Sequence, residues 1–152
     1  MRKSASTSIE TKMLTALRGL DLGMQCVGLM EVAAAGETKE QDLTAVQVRV
    51  HDFAQVSENG IAFTVAAEIR LNVEQAESAD CRLFVDAHEK IALWLEHIMI
   101  DDNCAELDTD EAYVDGLQRM GGEKDFDTSG GVWFAVWNMT LSGRIKQEAT
   151  NV

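Results

Sequence analysis

From position 60 onward apolar and polar residues alternate with few breaks. Ile61, Phe63, Val65, Ala67, Ile69, Leu71 and Val73 stand against Ala62, Thr64, Ala66, Glu68, Arg70 and Asn72. Period two held over that length predicts a β-strand with one face for a core and the other mostly for water. Upstream, Val46, Val48 and Val50 alternate with Gln47, Arg49 and His51, and Ser57-Glu58-Asn59-Gly60 lies between the two runs. Asn-Gly is a turn signal because both residues tolerate positive φ, so 44–73 reads as a long antiparallel hairpin. A later stretch, 132–145, sets Trp133, Ala135, Trp137, Met139, Leu141 and Ile145 against Phe134, Asn138, Thr140, Ser142 and Arg144. Phe134 and Val136 make its first half apolar on both faces, and such a strand needs two burial partners.

Helical spacing appears twice. Ile9, Met13, Leu14, Leu17 and Leu20 recur behind Thr7 and Glu10, a capping-box pair, which predicts a short helix over 8–19. Phe84, Ala87, Ile91, Trp94, Leu95 and Ile98 form one stripe at three- and four-residue steps, which predicts a helix over 80–99 capped by Ser78 or Asp80. Between these elements, 22–35 has no clean polar face. A strand over about 24–33, with Gly28 as a bulge or close-packing point, stands beside a helical alternative. Residues 113–120 suggest a short strand, and 121–131 reads as a glycine-bounded loop. The whole, 1–152, reads as a single domain with 1–7 and 147–152 as flexible tails.

The elements together predict an α+β fold, a twisted antiparallel sheet with a long hairpin and two helices packed on one face. At 152 residues and 46% hydrophobic composition the chain is long enough to bury a core. Asp and Glu number 26 against 13 Lys and Arg, a net charge of -13. Such a surface repels nucleic acid and anionic lipid and offers acidic patches to basic partners. Cys26, Cys81 and Cys104 are odd in number and lack CxxC spacing, which reads as free thiols in a reducing compartment. No apolar run approaches membrane-spanning length.

No catalytic, cofactor-binding or metal-binding motif is legible. The acidic segment 101–115 contains Asp101-Asp102-Asn103 and Asp108-Thr109-Asp110, but neither frame puts glycine at position six and glutamate at position twelve of a calcium loop. A solvated acidic loop accounts for it. His88 and His97 share a helix at a spacing unsuited to one metal, and His51 and Asp52, as adjacent strand residues, are expected to point to opposite faces. Trp133 and Trp137 are expected to cover the helix stripe around Trp94.

The short capped helix at 8–19, the alternating strand at 60–73, the helix 80–99 rising from its end and the closing strand 132–145 resemble, in layout, the tail-terminator and tail-completion proteins of long-tailed bacteriophages and related neck proteins. The resemblance spans about 8–146 and rests on no short motif. It implies a non-enzymatic virion protein, assembled in the host cytoplasm. Such a protein forms a ring, usually a hexamer, that caps the tail tube and docks to the neck or connector while DNA passes through without specific binding. A ring subunit needs two different contact patches, and Phe134 and Val136 with the Ala62 and Ala66 face are assigned to one of them. The rival readings are a small α+β module holding an apolar ligand between helix 80–99 and the sheet, and a small enzyme with an unrecognised site.

Overall fold

In the computed structural model, which describes residues 3–28, 44–100, 102–126 and 131–147, the two alternating stretches become neighbours at the centre of one sheet. The hairpin forms as β2 (Ala45–Gln55) and β3 (Ala62–Glu74), antiparallel and closed by the Val56 N–H donating to the Ala62 carbonyl at 2.9 Å. Only Gly60 of the Asn-Gly pair takes positive φ (70°), while the Asn59 side chain accepts the Ile61 N–H. The closing strand β5 (Val132–Ile145) has the predicted limits. It pairs antiparallel with β3 along its length, Ile69 opposite Trp137 and Ala62 opposite Arg144.

Among the described residues the sheet has the order β1-β2-β3-β5-β4. Strand β1 (Cys26–Gly28) runs parallel to β2, so the sheet is mixed where a wholly antiparallel one was expected. The stretch between them, 29–43, has the length that a parallel crossover connection requires. Of the predicted strand over 24–33, Met24 and Gln25 are not strand, and 29–33 lies outside the described residues.

Strand β4 (Ala112–Asp125) is the main correction. It runs well past the predicted 113–120 and takes in half of the expected loop. The register against β5 shifts between Val114 and Gly116 and again between Arg119 and Gly121. Each bulge adds one residue and turns the alternation over, so Val114 and Leu117 share a face at a spacing that no unbroken strand allows. Period two is therefore absent from the sequence here although the strand is present.

Both helices cover the same face of the sheet. Helix α1 (Ala5–Arg18) lies over β1 and β2, and α2 (Ser78–Met99) over β3 and β4. Helix α1 starts earlier than expected. Ser4 is its cap, accepting the Thr7 N–H at 3.1 Å, and Ala5 is buried, so residues 5–7 are not part of a frayed tail. Glu10, freed from a capping box, turns into the protein and is buried. At the head of α2, Glu77 takes the cap position, and Asp80 accepts the N–H groups of Ala76 and Glu77 at 3.0 and 2.7 Å. Gly28 is a close-packing point. A Cβ there would stand 2.7 Å from Leu14 Cδ1 and 2.8 Å from Glu10 Oε2, which is why α1 can settle on β1.

The buried side chains of both helices and of the covered sheet face form one continuous cluster. The acidic segment contributes to it. Asn103–Leu107 is a 3-10 turn that buries Cys104 and Leu107, and Asp108 accepts the Val114 N–H at 2.7 Å. It is a structural corner of the fold, not the solvated loop that its composition suggests.

Candidate interaction surface

Residues paired across a sheet share a face, so the register sorts every strand side chain. The face turned away from the helices carries the even-numbered residues of β3 and β5. Its middle is charged, with Arg49 opposite Glu68, and Arg70 and Glu123 on either side of Val136. Phe134 lies between Asn72 and Asp125. Val136 is only 8% exposed and Phe134 is half-buried, so Val136 has little area left for a partner. Ala62 and Ala66 lie on the same face but at its other end, opposite Arg144 and Thr140. The four residues expected to make one patch thus make two small ones, separated by the row of Glu68 and Asn138.

Exposed apolar groups stand elsewhere, along α2 and its end at Leu93, Met99 and Ile100 and, within the sheet, at two opposite flanks. One is the end of the β2–β3 hairpin, where Phe53 is 43% and Val56 59% exposed. A bulge after His51 places Asp52 at a φ of 56° and lets Phe53 stack on Phe63, with ring centroids 5.3 Å apart. The bulge also brings Asp52 Oδ2 to 3.1 Å from His51 Nδ1, where an unbroken strand would have parted them. The other flank is β4, the end strand of the sheet, with Tyr113 41% and Met120 61% exposed.

Beside Met120 lies a cleft of about 430 Å³ at the helix-facing side of β4. Its floor is Trp137, with the His88 imidazole against it at 5.1 Å between ring centroids. Trp133 packs on Phe84 and Phe126 alongside, so these rings rather than Trp94 are the partners of the two tryptophans. Arg119 pairs with Met139 and Lys124 with Ala135, which turns both cations to the helix side, while Glu123, also in the lining, pairs with Val136 on the far face. Gly121 and Gly122, without side chains, lie between them in the lining. Burial first, then the like charges of Lys124 and Arg119, hold the His88 imidazole below its ordinary pKa. It is a cationic hollow with an aromatic floor on an acidic protein. Nothing in the sequence reading found it, because 121–131 looked like a loop; the one available signal was Arg119 and Lys124 flanking Gly121-Gly122.

Among the described residues the remaining titratable groups make no reactive constellation. His97 meets Glu106 on the surface, well away from His88. Burial raises the Cys26 thiol above its ordinary pKa, with Arg18 pulling the other way. Among the described residues no cluster of His, Cys, Asp and Glu is placed to hold a metal ion, and no helix is long and apolar enough to cross a membrane. No protein-family model matches the chain, and no curated protein shows detectable sequence similarity to it.

Proposed function

We propose that the chain is the subunit of a homo-oligomeric ring, a hexamer, at the terminator or head–tail joint of a bacteriophage tail. In this reading it is a virion protein whose work is geometric. One surface caps the tail tube, another docks to the neck or connector, and no catalytic group is needed.

The observation that carries the reading is the placing of the exposed apolar side chains of the sheet. Phe53 and Val56 lie at one flank of the sheet and Tyr113 and Met120 at the other, on unlike surfaces. Two different patches on opposite flanks suit a head-to-tail contact, and such contacts close into rings when the rotation permits. The order of elements, a capped helix, a hairpin, a long helix and a closing strand, supports the same reading. An excess of carboxylates, net -13, suits a channel through which DNA slides without sticking.

A ligand site between α2 and the sheet is less well supported. Phe84, Ala87, Ile91, Leu95 and Ile98 are each no more than 1% exposed and fill the space beneath α2, and the cleft at His88 is lined by Arg119, Glu123 and Lys124 and is no apolar pocket. The test is light scattering on the size-fractionated full chain, followed by electron microscopy. Closed rings of one subunit number with a central channel are expected, and rings that bind the ends of purified tail tubes. A chain that stays a single copy at millimolar concentration overturns the proposal.

A further inference from the structure

The two flanks differ in charge as well as position. From Asp52 to Gly60 the hairpin end carries Asp52 and Glu58 and no lysine or arginine. Both acids are exposed, beside the exposed Phe53 and Val56. The cleft on β4 offers the complement, Arg119 and Lys124 around the Trp137 floor, with exposed Met120 at its rim. The two surfaces cannot meet within one copy. The hairpin end lies beside Ala62, which pairs with Arg144, whereas the cleft lies at Trp137, about seven residues or roughly 23 Å back along β5. It also lies on the opposite side of the sheet order, β2 against β4.

We propose that the cleft of each copy receives the β2–β3 hairpin end of a second copy, Asp52 and Glu58 meeting Arg119 and Lys124 while Phe53 and Val56 cover Met120 and the aromatic rim. This gives the ring its repeating contact, and it rests on the head-to-tail reading above. Two observations favour a copy of this chain over other occupants. An acidic occupant is required by the charge of the hollow, and this chain supplies one with an apolar edge that matches the rim. A narrow two-stranded end also suits a cleft whose lining includes two residues without side chains, Gly121 and Gly122. Opposed charges at such a contact set register and encounter rate, and salt screens them.

Two double variants test it. D52N with E58K removes the acids of the hairpin end, asparagine being suited to the φ of 56° at position 52. R119E with K124E reverses the cleft. Each alone is expected to weaken self-association by at least about tenfold, because acid-to-acid or base-to-base contacts replace matched ones. Mixed in equal amounts the two variants are expected to associate again, since every contact in an alternating assembly is then matched. Thermal unfolding of each variant checks that it is folded, and the His88 ring resonance reports on the cleft directly. Its pKa rises on assembly as carboxylates join the Arg119, Lys124 and Glu123 side chains around it.

Wild-type rings that neither variant weakens overturn this contact and leave the ring itself standing. Variants that fail alone and are not restored by mixing overturn it as well. A wild-type chain that never associates overturns both proposals. An assembly restored by mixing but limited to two copies upholds the contact and sinks the ring.

Discussion

The Glu10 carboxylate of α1 accepts the main-chain N–H of Val50 on β2, Oε1 to nitrogen 3.0 Å. Among the described residues strand β1 pairs with β2 as far as Gly28 and Val48, and a helix side chain satisfies the next outward donor along that edge. Glu10 is 6% exposed, and removing its acceptor leaves Val50 N–H without a partner in a dry place. Glu10→Ala is therefore expected to cost about 1–3 kcal/mol in urea unfolding. Glu10→Gln, which keeps an acceptor oxygen, is expected to lose clearly less. Equal losses for the two would show that the bond to Val50 is not what matters.

A Cβ on Gly122 would lie 2.1 Å from the Val136 carbonyl oxygen, so alanine cannot enter without parting β4 from β5. Gly122→Ala is expected to cost at least about 1–3 kcal/mol, as overpacking does. Hydrogen exchange locates the damage. The amides of β4 beyond the second bulge are expected to lose protection while those of β3 keep theirs.

Phe84 is fully buried and faces Phe126 and Trp133, with ring centroids at 5.6 and 6.2 Å. Phe84→Ala is expected to destabilise the chain by about 3–5 kcal/mol, the usual range for emptying an aromatic core position. Trp133, half-buried against that ring, is expected to shift its fluorescence to the red even in folded protein.

His88 makes a pH prediction with a definite sign. Its folded pKa is depressed by burial and by Lys124 and Arg119, so below the unfolded value of about 6.5 the unfolded chain binds the proton more readily. The contribution is fully present above about pH 6.5 and is lost as pH falls through the folded pKa. His88→Gln is expected to flatten the stability slope between about pH 7 and pH 5, measured by denaturant titration. An unchanged slope would place the cations too far from the imidazole to act on it.

How legible this fold was depends on whether a strand keeps its period. Strand β5 is unbroken, and its limits at Val132 and Ile145 could be read from alternation alone. The hairpin was legible for the same reason up to His51, where a bulge begins and the inference that Asp52 points away from His51 breaks down. Strand β4 has two such interruptions, and its second half vanished into an apparent loop. The cleft vanished with it, since Arg119 and Lys124, five residues apart, share the helix side only because the second bulge between them turns the strand over. The parallel pairing of β1 could not be read either, because a three-residue strand has too few positions to show a direction.

Phe134 and Val136 illustrate a different limit. Their pattern correctly announced a strand apolar on both sides, yet flanking residues of the same chain cover most of Val136. Long charged side chains hide apolar surface with their stems, which composition does not reveal.

Strand β5 follows β4 in the chain but inserts between β3 and β4, pairing with both from end to end. During synthesis, β4 emerges from the ribosome with no sheet partner, and β3 has only β2. A nascent chain stalled before Val132 therefore displays two unzipped ladders to the cytosol at once. Chaperone engagement and proteolytic sensitivity should peak at that point and collapse when the last strand threads into the gap.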